Sequence, residues 1–512
     1  MKTSLFLSVI FLLSINCVYS QKENHTFKNA MEMLPFGVIN LKPTSQEFKK
    51  ATSNEKSVMR TTDCNLFIER VGTIKEEYAY SVVTASDGGY IVAGYTNGDS
   101  NGGYDGLITK IDEAGNTIWS KSIGGAGDDY FYRIANTSDG GYVACGRTLS
   151  YSGGANGVAW LVKTDAQGNT QWSTRYDDGN VYGSIAYFVI QTSDGGYAIS
   201  GTNRFAGGVA DAMIIKTDNM GNGQWNKIFD SYNSDDAMGI LEDNGAVVIS
   251  SFQYGQSNSR YDGVLMKLDV NSGMLMWAKS YDIDNKSNWF ASIKKTIIGY
   301  GIVSLDLDGW NATDNPSEVA VNVDTNGVPQ SIRRVTGGNP LREHGGFTSN
   351  ADGGFVMSQY SQGNTSDLYL YKADGQGNIE WKKKVHLYGQ QVPIEIKELS
   401  DGGFIIVGAN NNSATVVLDS FDVGIIRTDV NGAIACATSE TDVNIEEASY
   451  SYQPNFTWNS INSVTFSVPV SITVSSKSTG IHITQACKCE VNSAIMAPNQ
   501  FENINKLSVY PV

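Results

Sequence analysis

Basic residues are scarce in this chain of 512 residues: Lys plus Arg number 37 against 53 Asp plus Glu, a formal charge of −16. Without a basic footprint the sequence excludes duplex nucleic acid as a partner and disfavours an anionic membrane surface. We read the charge as colloidal solubility. Histidine is rarer still. His25, His344, His386 and His482 lie far apart and match no metal-ligand spacing. There is no Gly-x-Ser-x-Gly element and no phosphate loop. Beyond the first twenty residues no apolar run reaches the ~18 positions that a membrane-spanning helix needs. Proline numbers only 10, while Gly numbers 54 and Tyr 26. Many glycines, many aromatics and short β-branched runs between turn residues indicate an all-β protein with a real core.

The two ends carry addresses. Lys2, an apolar stretch at 5–15 and the small-x-small run Val18-Tyr19-Ser20 have the form of an export signal covering 1–20, cleaved before Gln21. A lipoprotein anchored at Cys17 fits less well, because Asn16 precedes it. Residues 21–63 read as a polar leader, and 491–505 as a linker. The last residues, 506–512, contain Leu507, Ser508, Val509, Tyr510 and Pro511. This run resembles the opening of the C-terminal sorting domain that Bacteroidota attach to cargo of type IX secretion. Val512 departs where that pattern expects Asn, and the body of such a domain does not follow. The resemblance implies delivery to the outer surface or the medium through the secretion machinery. Either the chain is a truncated reading or the sorting signal is broken, and in the second case the expected location is the periplasm.

Between these ends the chain repeats itself. Ser-Asp-Gly-Gly-Tyr stands at 86–90, 138–142 and 193–197, with near copies at 351–355 and 400–404. A second landmark, an Asp-x-x-Gly-Asn-like turn, begins at Asp112, Asp165, Asp218, Asp269, Asp324, Asp374 and Asp429, intervals of 50 to 55 residues. Trp119, Trp172, Trp225, Trp277 and Trp381 follow it in five copies, and Gln330 fills one skipped slot. Each repeat holds four runs of 5–8 residues separated by turns, hence four antiparallel strands. A lone four-stranded sheet cannot bury both faces, but seven arranged radially can. The recurrent Trp is the expected wedge between them. In the pentapeptide, Asp is expected to accept backbone N–H bonds and the Gly pair to adopt positive φ.

The ends of the array choose between a ring and an open stack. It begins at 67–80 with the last strand of a repeat, and the seventh repeat stops near Cys436, where that strand is missing. This offset predicts closure by the N-terminal strand. The expectation is an all-β, seven-bladed β-propeller of four-stranded antiparallel blades over 64–436. A short C-terminal β extension, 437–490, packs on it. The repeats resemble the Asp-Gly-Gly-Tyr propeller repeats of secreted Bacteroidota proteins, a likeness specific for architecture and silent on activity.

Chemistry is less legible. Calcium needs six to eight oxygens, and each Asp turn supplies one carboxylate, so a turn-capping role is preferred over a calcium site. No other cofactor is expected. The Asp–Trp spacing resembles that of sialidase and quinoprotein blades only in their structural part. Five cysteines follow the signal: Cys64, Cys145, Cys436, Cys487 and Cys489. Cys64 and Cys436 flank the ends of the ring and suggest a disulfide clasp, with Cys436 to Cys487 or Cys489 as the rival pairing. Cys145 reads as a buried free thiol.

The loops at 97–106, 149–158 and 204–212 vary most and share one face of the ring. Tyr104, Tyr151 and Tyr261 are the candidate stacking groups there for a ligand. The preferred function is a monomeric, non-catalytic binding module for a glycan or a protein. The alternatives are a structural or adhesive surface protein, and a carbohydrate hydrolase or lyase with paired carboxylates at the channel mouth.

Overall fold

The computed structural model describes residues 67–488, apart from 73–75, 99, 153–155, 178–181, 205–208, 230–233, 256–259, 308–316, 337–345, 350–353, 361–367, 386–389, 412–420, 435–437, 440–443, 454–459, 462–465, 470–472 and 476–481. Every regular element among them is a strand. Seven four-stranded antiparallel blades form a ring. Blade 1 is Glu77–Thr84, Tyr90–Thr96, Asp105–Ile111 and Thr117–Gly124. Blades 2 to 6 follow at 129–177, 184–229, 236–283, 287–336 and 347–385. Blade 7 takes its first three strands from 390–428 and its fourth from Phe67–Gly72. That strand pairs antiparallel with Asp422–Thr428, from Phe67 opposite Arg427 to Val71 opposite Val423. The ring therefore closes as the repeat offset requires. The first strand of each blade touches the first strand of the next, all the way round, so these strands line the central channel.

The pentapeptide turns divide their labour more finely than sequence reasoning expects. In blade 2 the Asp139 carboxylate accepts the Gly141 N–H at 3.1 Å. Gly140 has φ 83°. Gly141 does not adopt positive φ, although both glycines of the blade 1 turn do, Gly88 at 94° and Gly89 at 72°; a Cβ on Gly141 would stand 2.1 Å from the Thr164 carbonyl oxygen, so it is glycine for close approach. Asp139 also receives Lys163 of the third strand at 2.8 Å, and that lysine is almost wholly buried. The same pair recurs as Lys110–Asp87, Lys216–Asp194, Lys267–Asp243 and Arg427–Asp401. Each blade that has it thus ties its first hairpin to its third strand.

The second turn joins neighbouring blades. Asp165 Oδ1 accepts the backbone N–H groups of Gln167 and Asn169 at 2.9 and 2.8 Å, and its Oδ2 takes the Asn169 side-chain amide at 2.9 Å. These bonds occupy the carboxylate as a turn cap. Gly168, in the left-handed region at φ 74°, lies against the Trp119 ring of the preceding blade. Gly221 meets Trp172, Gly273 meets Trp225 and Gly432 meets Trp381 in the same way. Where Gln330 replaces the Trp, Arg333 covers Gly377 instead and donates to the Gln376 carbonyl at 3.0 Å. Between blades lie apolar clusters such as Ile91, Ile108, Phe131, Tyr142 and Trp160. Cys145 is buried in the next one as a free thiol, its Sγ 3.7 Å from the Ala186 carbonyl.

After the seventh blade the chain runs once round the rim, opposite to the order in which the blades are built. Thr438–Ser439 adds a fifth strand to blade 6, Asn444–Glu447 to blade 5 and Tyr450–Gln453 to blade 4. Ser460–Ile461, Phe466–Pro469 and Thr473–Ser475 then serve blades 3, 2 and 1. His482–Lys488 ends on Phe67–Gly72, which thereby has a partner on each side, with Cys487 opposite Ile68. This belt covers the outer edge of every blade.

Candidate functional site

The channel widens into a cavity of about 490 Å³. Its wall is built by one repeated irregularity. In six blades the first strand carries a β-bulge, and the residues left out of the pairing are Tyr80, Tyr132, Tyr187, Met238, Ala291 and Ile394. All six line the cavity. A bulge puts two residues opposite one and re-aims a side chain. Here it turns a residue that would face a neighbouring blade toward the axis. Phe188, Phe252, Tyr261, Trp289 and Phe347 bring the aromatic residues to eight of the eighteen that line the cavity.

The rings hold one another. Tyr80 meets Tyr132 at 5.2 Å between centroids, and Tyr132 meets Tyr187 at 5.9 Å. On the far side Phe252 stacks on Trp289 at 5.1 Å, and Tyr261 stands edge-on to Trp289 at 5.9 Å. Burial raises the Tyr132 and Tyr187 phenols above their ordinary range, so both are neutral at physiological pH. Tyr80, Tyr132, Tyr187 and Trp289 are each half-buried.

Few polar groups interrupt this wall. Arg133 of blade 2 pairs with Glu395 of blade 7 at 2.7 Å, and its guanidinium lies 4.2 Å from the Phe188 ring centre. Glu395 also accepts the Val82 N–H at 2.7 Å, a free amide on the inner edge of blade 1. Ser81 accepts the equivalent Ile134 N–H of blade 2 at 3.2 Å. Asp236 of blade 4 is the other carboxylate on the wall. Its Oδ1 is shut off from solvent without a hydrogen-bond partner. Burial pushes its pKa up to about 6, against the opposing pull of the Thr202 hydroxyl and the Arg204 charge.

Two lysines continue the inner strands. Lys294 and Lys397 each stand two residues beyond a cavity-lining residue, Ser292 and Glu395, on the same strand face. Burial, and then the charge of Arg133, pulls Lys294 down to about 8. Lys397 is lowered by burial, and Arg133 adds to that shift while Glu395 opposes it.

The three tyrosines singled out from the loops have different places. Tyr261 lines the cavity. Tyr104 is half-buried, donates to Glu76 at 2.8 Å and stands edge-on to Tyr95 at 5.1 Å, in a chain of rings that leads through Tyr80 to the cavity. Tyr151 donates to the Gly124 carbonyl at 2.9 Å and packs beside Trp160, between blades 1 and 2. The five Trp residues sit in the blade contacts described above or beside them, away from the cavity wall. Cys64, Cys436 and the run 507–511 lie outside the described residues, and among the described residues there is no disulfide.

Sequence reasoning missed the bulged ring. The signal was a column of Tyr80, Tyr132 and Tyr187 in the first run of three successive repeats. It is hidden because a bulge breaks the alternation by which a strand's faces are read.

No protein-family model matches the chain, and no curated protein matches it in sequence. Among solved structures the propeller is similar to the extracellular domains 1–2 of Drosophila Semaphorin 1a, with a TM-score of 0.43 and 8% identity over 70% of this chain and 87% of that one. An ulvan lyase of polysaccharide lyase family PL25 gives 0.42 and 11% over 72% and 98%. The NanB sialidase of Streptococcus pneumoniae gives 0.36 and 10% over 70% and 69%. Such values concern architecture and carry no argument about chemistry.

Proposed function

We propose that this protein is an exported, non-catalytic binding module whose central cavity receives the end of a saccharide chain. The observation behind this reading is the aromatic wall. Half-buried rings of blades 1, 2, 3 and 5 converge on one space of about 490 Å³, a volume suited to a small organic ligand. Sugars present C–H faces to such rings and hydroxyls to a few fixed polar groups, here Ser234, Ser292, Asp236 and the Arg133–Glu395 pair. Export rests on the reading of residues 1–20 and 506–512.

The test is an oligosaccharide panel titrated calorimetrically into the full chain, with released reducing ends measured in parallel. Saturable binding without product supports the module. Absence of binding across neutral and acidic oligosaccharides refutes it.

A hydrolase is the second reading, and one observation favours it. Asp236, held near pH 6, has the poise of a proton donor. The other wall carboxylate, Glu395, is committed to Arg133 and to the Val82 amide. Product release that disappears in Asp236→Asn would establish this reading in place of the first.

A further inference from the structure

Around the channel axis the balance of charge is opposite to that of the whole protein. Arg133, Lys294 and Lys397 come from blades 2, 5 and 7; of the two wall carboxylates Glu395 answers all three, while Asp236 of blade 4 faces Thr202 and Arg204. Glu395 is in contact with Arg133. Lys294 and Lys397 form no hydrogen bond or ion pair among the described residues. Both are half-buried, and ammonium groups drawn out of water are normally paired or hydrogen-bonded. At the same level of the other first strands stand Thr348 of blade 6, between the two lysines, and Val83, Ala135, Ile190 and Leu241, which offer no charge. The chain as a whole carries −16, so this local excess is not a by-product of composition.

We propose that Lys294 and Lys397, next to the Arg133–Glu395 pair, bind an oxyanion where the inner strands continue past the cavity wall, so that the saccharide it receives is an acidic one. The chemistry shared by its sources is a carboxylate of a uronic acid or a sulfate ester. The inference rests on the saccharide reading for the ligand's body, and on the lysines alone for its charge. The ligand's ring lies against the aromatic wall while its anionic group meets the ammonium groups. Both lysines gain an anionic partner, and the site favours their protonated forms on binding. Arg133, Glu395 and Lys397 are the charged groups that act on Lys294. Affinity therefore falls as pH rises through about 8, where Lys294 loses its proton.

The experiment uses the full chain and matched ligands in calorimetry: galacturonate oligomers against their methyl esters, and sulfated galactan oligomers against the desulfated form. The acidic member of one pair binds at least ten-fold more tightly, and which pair shows it identifies the source of the anion. The double variant Lys294→Met, Lys397→Met erases the difference and leaves the neutral ligand's affinity unchanged. It melts no lower than the parent, because an unpaired charge has been removed, so a folding failure cannot imitate the result. Equal affinity for acidic and neutral members overturns the inference and leaves the saccharide reading standing. Binding of acetate or inorganic sulfate, lost in the double variant while no saccharide binds, upholds the anion site and overturns the saccharide reading. Binding of none overturns both.

Discussion

Substituting Gly221 by Ala tests the claim that turn glycines are the seats of the blade tryptophans. Gly221 lies at φ 79°, and an added Cβ would stand 2.7 Å from Cζ3 and 2.9 Å from Cη2 of Trp172. Alanine in the left-handed region costs about 1–2 kcal/mol. Overpacking against a ring that blade 2 holds in place adds about 1–3 kcal/mol. The sum is a loss of about 2–5 kcal/mol. Gly195 in the same blade is the control: its φ is 85°, but nothing lies within 4 Å of an added Cβ. Gly195→Ala should cost only the backbone strain, about 1–2 kcal/mol. Urea unfolding of both variants, followed by fluorescence, measures the gap. A cycle with Trp172→Ala completes the argument, since removing the ring should reduce the Gly221→Ala cost to the strain alone. If both glycine variants lose the same stability, or if Trp172→Ala fails to relieve Gly221→Ala, the tryptophan seat is not where blade contact is decided.

Ending the chain at residue 437 strips the fifth strand from every blade; the expected result is a lower melting temperature and self-association by light scattering, and a stable monomer would show that the belt is dispensable. Burial would raise the Asp243 carboxyl, but hydrogen bonds from Lys295, Tyr300 and Lys267 more than reverse it, to about 2 from an ordinary 3.8. A depressed folded pKa means stability present above pH ~4 and lost on descending to pH ~2, worth about 2–3 kcal/mol. Asp243→Asn should therefore flatten the acid limb of the stability profile, and an unchanged limb refutes the pairing. In the cavity, Trp289→Ala should weaken saccharide binding by about 2 kcal/mol, roughly 30-fold, in calorimetry; unchanged affinity would move the site out of the channel.

Much of the fold was legible because propeller blades are built from local signals. An Asp that accepts amides two and four residues onward needs no tertiary help to make its turn. A period near fifty with a displaced first strand permits few arrangements. The site was less legible. Tyr261 drew notice as a loop residue and lines the cavity, whereas Tyr104 and Tyr151 spend their hydroxyls on Glu76 and the Gly124 carbonyl. Nothing in the local sequence distinguishes these three.

The sequence by itself determined the strands, their turns, the number of blades and the partner of the first strand, because each depends on residues close together or on a repeat that counts itself. Tertiary structure alone decided that the chain after the ring would serve seven blades in turn, that bulges would aim a ring of side chains at the axis, and that Arg133, Lys294, Glu395 and Lys397 would share one place. Those outcomes depend on strands meeting across the channel. There the Val82 amide finds its acceptor in Glu395, 313 positions away, and no local pattern records that meeting.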